Sequence, residues 1–251
     1  AMKILFSFIV TIASLHTLNG QDAGIFIKEG EQWEVQMNEK SAIERFKQAI
    51  ALEPTNVYVL CKISELYSRI GNREASKSTR DSYYTNAVAY AKKALSIAPA
   101  NDEANVAMAI AYGRIALTKS GKEKVGLVKE IKHYADVALV ANKQNFKAWH
   151  ILGKWHYEVS SLNMVERTAV RLFYGGLPDA SFKKSITCYE VAKKLKAGFM
   201  LNYLELAKAY YKNNETSKSL EQLRILLALP ITTQDDNRIK TEASLLIKKW
   251  S

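Results

Sequence analysis

Lys147, His150, Lys154, Tyr157 and Glu158 fall at intervals of 3, 4, 3 and 1, and Leu201, Leu204, Lys208, Tyr211 and Lys212 repeat those intervals. Glu103, Val106, Ile110, Gly113 and Arg114 do so a third time. This spacing puts each set on one face of an α-helix. Cations interleaved with tyrosines and an imidazole suit an anionic ligand. The cations supply charge-assisted hydrogen bonds, and the rings supply apolar contact area. The chemistry expected is recognition, by Arg114, Lys147, His150, Lys154, Tyr157, Lys208, Tyr211 and Lys212, of an acidic or extended peptide or a lipid headgroup. Ordinary solvated helix charge would give the same pattern, so both remain open.

Catalytic chemistry is not expected. The histidines are His16, His133, His150 and His156. His150 and His156 are six apart, not the four that align two metal ligands on a helix. No G-x-S-x-G, H-E-x-x-H or Walker loop occurs, and Gly175-Gly176 is read as a turn. No enzyme, cofactor or metal site is predicted. Cys61 and Cys188 lie 127 positions apart and outside any C-x-x-C pair, which predicts buried thiols.

The elements that must position the candidate face repeat along the chain. Trp149, Leu152, Gly153 and His156 share spacing 3, 1, 3 with Tyr203, Leu206, Ala207 and Tyr210, and with Leu60, Ile63, Ser64 and Tyr67. A second pattern alternates with these along the chain: Ala42/Phe46/Ala49/Pro54, Ala87/Ala91/Ala94/Pro99 and Ser185/Tyr189/Ala192. Together they form the large–small helix–turn–helix unit of a tetratricopeptide repeat. The predicted fold is all-α, a right-handed superhelix of about five hairpins plus a C-terminal capping helix, leaving a concave binding surface.

The units are expected near 23–56, 57–101, 102–145, 146–199 and 200–233, with the cap over 234–250, all within a repeat domain over 21–251. The second helices of the second to fourth units arrive late. Gly71 to Arg80 is read as a polar loop, with Asp81 or Ser82 capping the next helix, and Thr118 to Lys122 as another loop. Asn163 to Tyr174 is read as an inserted helix, able to cover Val106, Ile110, Leu201 and Leu204. Thr232 or Thr233 is expected to cap the last helix.

Hydrophobic residues make up 48% of the 251 positions, which excludes default disorder. The net charge of +11 points to acidic partners: a peptide, an anionic membrane surface or nucleic acid. No nucleic-acid module accompanies the charge, so nucleic acid is not expected. Lys3 followed by the apolar run Ile4–Leu18 and a polar break at Asn19-Gly20-Gln21 has the layout of a signal peptide over 1–20. Export, with a periplasmic location, is the expectation; an N-terminal membrane anchor is the alternative.

The segment Trp149 to Val159 resembles the regulator of microtubule dynamics family. The helix through Arg167-Thr168-Ala169, Leu172-Phe173, the Gly-Pro-rich loop after it and the tail Thr241 to Leu246 are similar to it too. The resemblance extends over roughly 55–250. It implies a non-catalytic binding protein whose eukaryotic relatives are microtubule-associated or organelle-tethering, one branch carrying phospholipid in its helical groove. The leader in place of a clear anchor suggests an exported bacterial relative, for which a microtubule role does not fit. The function expected is a scaffold gripping an acidic or extended partner segment in a basic groove; the alternative is a lipid-binding or lipid-transfer module in the same groove. Partner identity and oligomeric state are not written in the sequence.

Overall fold

The structure, a computed structural model, describes residues 22–251. The expected leader lies outside the described residues. Among the described residues there are twelve helices and no strand. They divide between Ala98 and Pro99 into two compact units.

The first unit contains α1 over 22–35, α2 (Glu39–Leu52), α3 (Val57–Arg73) and α4 (Lys77–Ile97). The second contains α5 (Asp102–Ala116), α6 (Gly121–Ala141), α7 (Phe146–Ser161), α8 (Met164–Tyr174), α9 (Phe182–Leu195), α10 (Met200–Lys212), α11 (Thr216–Ala228) and α12 (Asp236–Trp250). Asparagine opens five helices. Asn38, Asn56, Asn101, Asn145 and Asn163 each accept from a backbone N–H three residues on, at 3.2, 3.1, 2.9, 3.1 and 2.9 Å. Each cap satisfies an N–H the helix cannot, and its loss costs about 1 kcal/mol.

In the first unit α3 packs along α4 and against α2. A Cβ at Gly30 would stand 2.8 Å from the Phe46 ring. Phe46 is fully buried, so the missing side chain of α1 is the space the ring fills. In the second unit α5 pairs with α6, α7 with α9, and α10 with α11, while α12 closes on α10 and α11. Gly153 repeats the device of Gly30. A Cβ there would lie 2.6 Å from Tyr189 Cδ1, and Tyr189 is fully buried.

Beside these small residues a hydroxyl ties the two helices of a hairpin. Ser185 Oγ donates to Gly153 O, and Ser219 Oγ to Ala207 O, each at 2.8 Å. In the first unit the direction reverses, with Ser64 Oγ donating to Ala87 O at 2.8 Å. The small residue and the serine have exchanged helices, and the close approach is kept. A buried hydroxyl needs this partner to avoid a desolvation cost.

The structure revises four local expectations. Gly71 to Arg80 is mostly helix: α3 runs to Arg73 and α4 starts at Lys77, and its cap is not Asp81 or Ser82, which lie inside it, but Ser76, whose Oγ accepts from Thr79 N at 3.4 Å. Gly71 is a packing glycine, since a Cβ there would meet Tyr83 Cβ and Tyr84 Cε1 at 2.8 Å. Thr232 and Thr233 do not cap α12 but donate to it: their N–H groups reach Asp236 Oδ2 at 2.7 and 2.8 Å, and the Thr233 hydroxyl reaches Oδ1 at 2.7 Å. The inserted helix α8 exists but packs on α6 and covers none of the four apolar groove positions. Val106 is buried with Ala138 and Ala148, and Leu204 with Leu223, Leu226 and Ile239. Neighbouring repeats cover these side chains because hairpin stacking already fills the space.

Candidate functional site

Within the second unit the first helices of successive hairpins stand side by side: α5 touches α7, α7 touches α10, and α10 touches α12. The candidate cations lie along this wall, and most are already held by carboxylates. Lys147 Nζ on α7 reaches Glu103 Oε2 on α5 at 2.9 Å. Lys154 Nζ is 2.7 Å from Glu205 Oε2 on α10 and 2.9 Å from Glu158 Oε1 on its own helix. Lys208 Nζ lies 3.1 Å from Glu205 Oε1 and 2.8 Å from Glu242 Oε1 on α12. One carboxylate thus bridges two ammonium groups, and the line Lys154–Glu205–Lys208–Glu242 crosses three helices. The wall expected to be basic is largely neutralised from within.

Burial alone would raise the Glu205 carboxyl, but the ammonium groups of Lys154 and Lys208 outweigh it and hold it below the ordinary range. Burial opposes the charge on Lys154 and Lys208 too. The nearby carboxylates override it and raise both ammonium groups. Glu205 is 6% exposed, so removing one partner would leave uncompensated buried charge.

His150 plays a structural part. Asn202 Nδ2 donates to Tyr189 O at 2.9 Å, which leaves Asn202 Oδ1 to accept from the His150 ring nitrogen Nδ1 at 3.0 Å. The imidazole lies against the rings of Phe199 and Tyr189 at centroid distances of 4.9 and 5.3 Å. Burial lowers its pKa, and nearby Lys154 and Arg114 add to the effect.

The remaining candidates divide. Tyr157 meets Phe182 edge-on at 5.7 Å, with Lys154 Nζ 5.5 Å from its ring centroid. Tyr211 stacks on Trp250 of α12, centroids 4.0 Å apart and planes 7° from parallel. Lys212 is exposed at the end of α10, and Arg114 is half-buried on α5. The structure therefore gathers Lys154, Tyr157 and Lys208 into one network, sets Lys147 in a separate pair, and leaves Lys212 and one face of Tyr211 toward solvent.

Register alone did not single out Glu205, Asn202, Glu242 or Trp250. Glu205 carries a signal all the same: it is the lone charge in the stretch Met200 to Ala207. The first unit, taken by itself, uses the same device. Glu34 joins Lys62 and Arg69, and buried Glu39 joins Arg69 and Arg73. Cys61 and Cys188 are buried free thiols, and burial pushes Cys188 up to about 11. Among the described residues no group of three or more His, Cys, Asp or Glu is placed to hold a metal ion. None of the described helices is long and apolar enough to cross a membrane.

Among solved structures, a thermophilic tetratricopeptide-repeat protein of Thermus thermophilus aligns over 89% of this chain and 99% of its own, with TM-score 0.65 and 14% identity. Yeast Tom70 aligns over 93% of this chain and 41% of its own, with TM-score 0.56 and 12% identity. These likenesses establish the fold. Regulator of microtubule dynamics protein 1 of Caenorhabditis elegans is 25% identical over 64% of this chain and 71% of its own. Regulator of microtubule dynamics protein 2 of Homo sapiens is 23% identical over 67% of this chain, which spans 42% of that relative. The profile described as Regulator of microtubule dynamics protein 1-3 matches residues 26–251, and the chain belongs to that family.

Proposed function

We propose that the wall of α5, α7, α10 and α12 binds an extended segment of a partner protein, and that the chain is a non-catalytic scaffold. The observation that carries this reading is the line Lys154–Glu205–Lys208–Glu242. It fixes three helices in register, and a wall held in advance loses little freedom on binding. The same line changes the kind of ligand. A wholly acidic segment would have to displace Glu205 from two lysines. A segment of mixed charge fits better, its carboxylates meeting exposed Lys212 and its apolar groups the rings of Tyr157 and Tyr211.

A photoreactive residue placed at Tyr211 should capture a partner in the native host, and one at exposed Thr187 of α9 should not. Lys212→Glu should reduce that capture by roughly 5-fold, the scale of one rim charge. Equal capture from Thr187 and Tyr211 would sink the proposal.

The lipid-carrying alternative needs an open apolar slot, and only the half-buried Ile110 and Leu201 remain to line one. Native mass spectrometry of the purified chain separates the readings: a retained acyl lipid favours the carrier over the scaffold. A periplasmic location belongs to the same proposal and rests on the leader's composition alone. Intact-mass measurement of chain recovered from its host tests it, and a full-length cytoplasmic product overturns it.

A further inference from the structure

The inserted helix α8 is built inside out. Its half-buried residues are Ala169, Val170 and Tyr174, and Arg167 turns back to donate to Ser160 O at 2.6 Å and Leu162 O at 2.9 Å. Met164, Thr168, Leu172 and Val165 follow one another round the opposite side, and Phe173 lies beyond them next to Ala169, its ring 6.3 Å from that of Tyr174. Met164, Val165, Leu172 and Phe173 are 83, 77, 68 and 74% exposed. A capping box at Asn163 and Glu166 and a left-handed Gly175 (φ 72°) define both ends, so the helix does not depend on burying that face.

The surroundings say what the face meets. Arg171 is exposed at the edge of the apolar arc. The start of α6 approaches the end of α8: a Cβ at Gly121 would lie 3.4 Å from Tyr174 Oη, and Lys129 Nζ donates to Tyr174 O at 2.8 Å. Exposed Lys122 and Lys124 therefore stand beside the same end. Two nearby acids are engaged. Glu166 accepts from Asn163 N at 2.8 Å, and Glu123 pairs with Lys119 at 2.7 Å.

We propose that α8 docks this protein onto the surface of an anionic lipid bilayer. The helix lies in the interfacial plane with Met164, Val165, Leu172 and Phe173 entering the boundary between headgroups and acyl chains. Arg171, Lys122 and Lys124 meet lipid phosphates. A helix of 11 residues is about 16 Å long. One face of it is small against the roughly 800 Å² per partner that a stable protein interface buries. A bilayer needs no shape complement, and the ring of cations selects a negative one. The proposal goes beyond the scaffold reading and does not require it.

The test is flotation of the full chain with phosphatidylcholine vesicles, with and without phosphatidylglycerol. Binding to the anionic vesicles should exceed that to neutral ones by roughly 10-fold and weaken with salt. The double variant Leu172→Glu/Phe173→Glu should lose about 10-fold of that binding while its thermal midpoint stays nearly unchanged, as expected for side chains that are mostly exposed. Arg171→Glu should lose less. Absence of binding to anionic vesicles overturns the proposal. So does binding that the double variant retains, which would assign it to other residues. If vesicles are ignored and the wild-type chain self-associates while the double variant is monomeric, the face is a protein interface and the proposal fails.

Discussion

Helices α7 and α8 are separated only by Leu162 and Asn163, yet they treat their apolar residues in opposite ways. Helix α7 buries Ala148, Leu152, Gly153 and Trp155 among α6, α9 and α10. Helix α8 buries no residue fully and leaves its larger apolar side chains in water. Both patterns are amphipathic. The difference is that α7 occupies a repeat position packed among α5, α6, α9 and α10, and α8 is an insertion with α6 behind it and Arg167 tied back to the end of α7. Apolar periodicity therefore predicts a helix, and only the neighbours decide whether its apolar face is a core or a contact surface.

Substitutions can sharpen this contrast. The largest effect is expected at Glu205. Glu205→Gln leaves Lys154 and Lys208 facing each other without the bridging charge, and stability should fall by about 3 kcal/mol in denaturant unfolding. An unchanged midpoint would mean the network is ornamental. The same carboxylate gives an acid signature. Its folded pKa is depressed, so its stabilisation is complete above the ordinary carboxylate range of about 4.3. It is lost as pH falls through the lower folded value. Glu205→Gln should remove that part of the acid limb.

Next comes Gly153→Ala. The added Cβ meets the Tyr189 ring at 2.6 Å, in a hairpin that also holds the Ser185 hydrogen bond. A loss of about 2 kcal/mol is expected from overpacking. If calorimetry shows none, the close approach of α7 and α9 is softer than drawn.

His150 should report a smaller, pH-dependent effect. Its folded pKa is lowered, so the unfolded chain takes up a proton, near pH 6.5, that the folded chain refuses. Stability should be full above that pH and fall as the solution is acidified toward pH 5. His150→Gln should flatten this slope in thermal scans across that range. The smallest effect belongs to α8: Leu172→Glu should change stability by less than about 0.5 kcal/mol. A loss comparable to that of Gly153→Ala would show that α8 is part of the core after all, and the contrast between the two helices would collapse.

Much of the repeat fold was legible. The interval 3, 1, 3 marks faces where a large side chain fills the space beside a small one, and Gly153 under Tyr189 is that contact. The asparagine caps are equally legible, since Asn56, Asn101 and Asn145 each stand just before a hairpin's first helix. Gly71 does not break the chain, as a glycine followed by polar residues would suggest. In a long α3 it is instead the place where Tyr83 and Tyr84 come close. The candidate face was located only in part. Counting cations by register found Lys154 and Lys208, but it could not see Glu205 turning toward both of them or Glu242 arriving from α12.

The order and type of the helices were determined by the sequence alone, because helical period, small–large spacing and caps act over a few residues. The charge of the inner wall and the exposure of α8 were decided only by the tertiary structure. Both depend on which side chains from distant helices meet, and an ion pair or a solvent-facing apolar stripe has no local spacing that announces it.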